Sequence, residues 1–145
     1  MKKIFDNKVD KILYRVLSEG NISYTPEMID KFVMEANNDL SAIKMMFNSH
    51  LNTISNISPQ NICDELPKYV QLHQKMQRNE ELITSKHTKY FNIVDLYEWF
   101  DMPDNVNKLQ KITDEIDTIY YDYGKLTESL DELIEIGKRL QNFLK

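Results

Sequence analysis

Apolar residues recur every three or four positions along almost the whole chain, the spacing of one buried face of an α-helix. Phe5, Val9, Ile12, Leu13 and Val16 predict a first helix over 4–19, with Gly20 placed as the residue that follows its last turn. Thr25 and Pro26 read as the N-cap and first position of a second helix, buried through Ile29, Phe32, Val33 and Ala36. Asn37-Asn38-Asp39 is expected to be a turn ending in a capping residue. A third helix then follows through Leu40, Ile43, Phe47, Leu51 and Ile54.

Ser55-Asn56-Ile57-Ser58-Pro59 predicts a loop that closes on another cap and proline. The fourth element is expected from Pro59 to about Ile83, bent or divided by Pro67, with Ile62, Leu66, Tyr69, Val70, His73 and Met76 on one face. The polar stretch 84–89 reads as a loop. The aromatic run 91–100 (Phe91, Val94, Leu96, Tyr97, Trp99, Phe100) reads as a short helix, and Asp101-Met102-Pro103-Asp104 as a turn that restarts a helix.

Beyond that turn, Leu109, Ile112, Ile116, Ile119 and Tyr123 share one face, and Gly124 is expected to stop the helix. Leu126, Leu130, Leu133, Gly137, Leu140 and Leu144 continue the same steps, which predicts an antiparallel helical hairpin with coiled-coil-like seams. Gly137 falls in the seam, where a missing side chain permits close approach. The expected fold is all-α: a single domain over 1–145, a bundle of about six helices with an antiparallel C-terminal helical hairpin. The seam could close within one chain or between two, as a homodimer.

Composition agrees with long helices. Only 3 Gly and 4 Pro occur in 145 residues, too little turn punctuation for a barrel or sandwich. The single cysteine, Cys63, cannot form an internal disulfide and suits a reducing, cytoplasmic setting. Asp6, Asn7, Lys8 and Asp10 interrupt any secretory apolar stretch, and no run of 18 apolar residues is present to span a membrane.

Charge is distributed unevenly. The net charge is −5, yet residues 1–88 balance at 11 acidic against 11 basic; 92–135 hold 12 acidic residues against Lys108, Lys111 and Lys125. A field of that sign repels nucleic acid and attracts basic proteins.

Candidate chemistry is sparse. Asp114-x-x-Asp117 and Glu132-x-x-Glu135, on the two expected arms, have the form of paired acidic motifs that hold Mg²⁺ in all-α nucleotide pyrophosphohydrolases. With Ile112, Ile116, Leu130 and Leu133 facing inward, these carboxylates face outward, so no metal or other cofactor is expected. His50, His73 and His87 lack ligand spacing, and no nucleophile elbow or glycine-rich phosphate loop occurs. Catalytic residues are therefore not expected. The run Ile12-Leu13-Tyr14 through Gly20-Asn21-Ile22-Ser23-Tyr24-Thr25 reads like the opening of a winged-helix domain. The third helix, however, offers only Lys44 and His50 as a recognition surface over 40–52.

The remaining feature is the acidic, tyrosine-bearing run from Thr113 to Tyr123. Asp114, Asp117, Tyr120, Tyr121 and Asp122 are the candidate partner-binding residues: tyrosine supplies contact area at low entropic cost, and carboxylates steer a basic partner. The competing expectation packs both tyrosines against 91–100. Two stretches, Ile12-Leu13-Tyr14 with Gly20-Asn21-Ile22-Ser23 through Asn37-Asn38-Asp39, and Glu115 through Tyr123 with its aromatic-Asp-aromatic end, resemble an all-helical family found among bacterial immunity proteins of polymorphic toxin systems. The resemblance covers about a third of the chain. It departs where that family's pattern has proline and this chain has Gly124-Lys125-Leu126, and 53–89 has no counterpart. It implies inhibition of a toxin or nuclease-like effector without catalysis. The open alternatives are a phage- or virus-type host-modulating protein, a metal-dependent nucleotide hydrolase and a winged-helix-like regulator.

Overall fold

The computed structural model describes residues 25–98 and 103–144. The expected helix over 4–19, its Gly20 cap, the winged-helix-like opening and residues 99–102 lie outside the described residues. Among those described, regular structure is entirely helical, as expected, but it forms four helices: α1 (Met28–Ser55), α2 (Pro59–Asp64), α3 (Leu66–Tyr97) and α4 (Pro103–Leu144).

Several expected breaks are absent because burial continues across them. α1 runs straight through Asn37-Asn38-Asp39: Ala36, Leu40 and Ile43 are all buried and keep the helical step. Asp39 caps nothing; its carboxylate accepts a hydrogen bond from the Tyr90 hydroxyl and lies 3.4 Å from Lys86 Nζ. α3 likewise continues through 84–89, with Ile83 and Tyr90 buried two turns apart on either side of the polar positions. The C-terminal hairpin is replaced by one helix of 42 residues. Gly124 does not end it, because buried Tyr123 and Leu126 hold the backbone on both sides at a cost of about 1 kcal/mol relative to alanine.

Other signals hold. Ser58 caps α2: its hydroxyl accepts from the Asn61 N–H at 3.2 Å, and the Asn61 side chain accepts from the Ser58 N–H at 2.7 Å. The division expected near Pro67 falls at Glu65, which closes α2; Pro67 then occupies the first turn of α3, where no N–H is needed. α1 begins at Met28, two residues after the Pro26 expected as its first position, and the Met28 N–H donates to the Thr25 carbonyl at 3.1 Å.

The described residues divide into two compact units. The first holds 25–40, 86–98 and 103–115. Its core is Ile29, Phe32, Ala36, Leu40, Tyr90, Ile93, Val94, Leu96, Tyr97, Val106, Leu109 and Ile112. Phe32 and Tyr97 meet edge to face, and the Tyr97 hydroxyl donates to the Thr25 carbonyl at 2.6 Å. Lys89 pairs with Glu35 at 3.5 Å beside the Tyr90–Asp39 contact.

The second unit holds 41–85 and 116–144. Ile43, Ile54, Ile62, Leu66, Tyr69, Met76, Ile83, Ile116, Tyr123, Leu126, Leu130 and Ile134 fill its core. Leu51, expected inside, is 41% exposed, and His50 is buried in its place. Gly137 lies against Ile62 and Leu66, as a close approach requires, and Gln141 Nε2 donates to the Cys63 carbonyl at 2.7 Å.

Candidate functional site

The acidic run lies in the middle of α4, and the buried residues of that helix set its orientation. Ile112, Ile116 and Tyr123 point into the cores of their units. At 3.6 residues per turn, positions 114, 117 and 121 then fall on the opposite stripe, with 120 and 122 on its two flanks. Asp114, in the first unit, is exposed and accepts a hydrogen bond from Gln110 Nε2 at 2.8 Å.

Four of the candidate residues lie in the second unit. Asp117 is half-buried, Asp122 is exposed and Tyr121 is 64% exposed. Tyr120 is half-buried, its ring edge-on to that of Tyr121 with centroids 5.7 Å apart. Tyr120 also lines a shallow, open cleft of about 440 Å³ with Glu80, Glu81, Thr84 and Ser85 of α3. The structure thus brings Asp117, Tyr120 and Tyr121 together within one turn of helix and sets Asp122 apart on the far flank.

Beneath this stretch sits a polar cluster that the hydrophobic pattern did not reveal. Tyr123 is wholly buried, yet its hydroxyl is fully engaged. Asn79 Nδ2 donates to it at 3.0 Å, and His50 Nδ1 lies 2.7 Å away. The Phe47 and His50 rings lie tilted against the tyrosine ring. Burial raises the phenol above its ordinary range, the Asn79 hydrogen bond opposes this and the Glu80 charge adds to it. Burial lowers the His50 imidazole below its ordinary value, and the Lys75 charge lowers it further. The spacing Phe47, His50, Ile54 is the helical step, so the period alone could have placed His50 inward had its polarity not favoured Leu51.

The paired-carboxylate motifs are not assembled into one site. They lie on a single helix, so Asp117 and Glu132 are separated by roughly 22 Å along its axis at 1.5 Å per residue. Glu132 and Glu135 are exposed, and Glu135 contacts Lys138 at 3.4 Å. Among the described residues no three His, Cys, Asp or Glu side chains converge as a metal site would require, and no helix is long and apolar enough to cross a membrane. No protein-family model, curated protein or solved structure matches the chain.

Proposed function

We propose that the chain is a protein-binding inhibitor that acts without catalysis, an immunity- or antitoxin-like protein that neutralises a basic toxin or nuclease-like effector. The contact surface is the outer stripe of α4 in the second unit, centred on Tyr121 with Asp117 and flanked by Tyr120 and Asp122. One observation carries the reading: a large aromatic ring stands 64% exposed beside carboxylates, on a helix whose other face is pinned by buried Tyr123. A purely solvated helix face has no need of such a ring, whereas a binding face gains a rigid anchor from it. The 12 acidic against 3 basic residues over 92–135 match a cationic protein and disfavour nucleic acid as the ligand.

The division of labour is testable. Carboxylates at a binding rim set mainly the association rate, and a central aromatic sets dissociation. A partner recovered from the native host with the intact chain as bait should associate more slowly with the Asp117→Lys, Asp122→Lys double variant at low salt. That difference should shrink at high salt. Tyr121→Ala should speed dissociation about thirtyfold, the 2 kcal/mol of a binding hot spot, with an unchanged circular dichroism spectrum. Unaltered kinetics for both variants would reduce this stripe to a solvated face and end the proposal.

A further inference from the structure

We propose that His50, Tyr123 and Asn79 form an acid-sensitive latch in the second unit, closed while His50 is neutral and released when His50 takes a proton. The neutral form is the one that gives every polar group of the cluster a partner. Asn79 Nδ2 donates to the Tyr123 hydroxyl oxygen at 3.0 Å, so the single hydroxyl proton is left to point at His50 Nδ1, 2.7 Å away. With Nδ1 unprotonated and accepting it, the hydroxyl is satisfied; with Nδ1 donating instead, the hydroxyl proton loses that acceptor. Protonation would set an N–H against that O–H and leave the hydroxyl proton without its acceptor, inside a site where Tyr123 is fully buried and Phe47 packs on its ring.

The charged groups around the cluster act in the same direction. Burial disfavours any charge on His50, and the charge of Lys75 on α3 disfavours a positive one further. Burial raises the Tyr123 phenol, the Asn79 hydrogen bond opposes this, and Glu80, also on α3, adds to the rise. No ion pair joins His50 to a carboxylate among the described residues, whereas His73 Nε2 lies 3.9 Å from Asp131 Oδ1. His50 has a lower proton affinity folded than unfolded, so its contribution to stability is complete above pH 6.5. That contribution is lost as the pH falls from 6.5 towards the native value. One proton limits the effect to about tenfold in the opening equilibrium per pH unit. Tyr123 is one of the buried residues that set the orientation of α4 at the acidic run, so opening the latch would loosen α4 there.

The test uses the full chain, with His50→Gln and Tyr123→Phe as variants. In an NMR titration of the three imidazoles, His50, assigned by its absence from His50→Gln, should have its midpoint below 6.5 and shift upward in Tyr123→Phe. Hydrogen exchange, corrected for the intrinsic effect of pH, should quicken between pH 7.5 and 5.5 in peptides covering 41–55 and 116–127. It should stay level in 25–40 and 103–115, and the acid response should disappear in His50→Gln. A His50 midpoint at or above 6.5, or an acid response undiminished in His50→Gln, overturns the latch. Should His50→Gln not fold, the wild-type titration set against Tyr123→Phe decides the matter alone.

Discussion

A β-carbon built at Gly137 would stand 2.9 Å from Cγ1 of Ile62, 3.1 Å from Cδ1 of Leu66 and 3.3 Å from the Ile62 carbonyl oxygen. One of these neighbours is backbone and the others are packed core, so little can yield. Overpacking of this kind costs roughly 1–3 kcal/mol, more than the roughly 1 kcal/mol that alanine gains over glycine in a helix. At Gly124 the same atom would meet only Glu80 Oε1 at 3.2 Å, the free end of a flexible side chain. Gly137→Ala should therefore lower stability in urea unfolding, and Gly124→Ala should raise it by up to about 1 kcal/mol. Equal effects at both sites would show that the approach at Gly137 is not as close as described. Individual positions were legible where one property decided them. Gly137 stood in an otherwise apolar seam, and Ser58-Pro59 carried both halves of a helix start. His50 was not legible, because a buried imidazole depends on Tyr123, 73 positions away, to satisfy it.

At the scale of the element, long helices were legible from the three- and four-residue steps, whereas their continuity was not. Each misplaced break rested on a local signal: polarity at Asn37-Asn38-Asp39 and over 84–89, and a glycine at 124. Such residues weaken a helix by about 1 kcal/mol or less each, which the burial of flanking Ala36, Leu40, Ile83, Tyr90, Tyr123 and Leu126 outweighs. Partners on other helices settle the rest: Lys86 and Tyr90 reach Asp39, and Lys89 reaches Glu35. The sharpest check is Ser85→Pro. In a surface loop it would be nearly neutral, but within α3 it deletes a backbone hydrogen bond and clashes with the preceding turn. It should cost about 3 kcal/mol, read as a fall of several degrees in the thermal midpoint. An unchanged midpoint would restore the loop.

At the scale of the whole molecule, charge is the property the sequence displays most openly, and its effect on stability can be separated from its effect on binding. Twelve acidic residues stand against three basic ones over 92–135. Replacing Asp114, Asp117, Glu132 and Glu135 by Asn or Gln should leave the thermal midpoint unchanged or raise it at low ionic strength. The gain should fade as salt screens the repulsion. The exposed Glu135–Lys138 contact, worth about 0–1 kcal/mol, is too weak to reverse this. A fall of several degrees would mean that these carboxylates hold structure. The candidate surface itself was half legible: periodicity placed Tyr121 outward and Tyr123 inward. The cleft of Tyr120 with Glu80 and Glu81 required knowledge of which helix passes beside it.

The side-chain bonds that tie the helices together also bear on time. Tyr97 to Thr25, Tyr90 to Asp39, Tyr123 to His50 and Gln141 to Cys63 join positions 72, 51, 73 and 78 apart along the chain. Helical turns form from neighbours in about a microsecond, but such closures must first bring distant segments together, and the loop entropy is lost before any contact compensates it. Folding of this chain should therefore be slower than its helical content suggests, gated by the meeting of half-formed helices rather than by their winding.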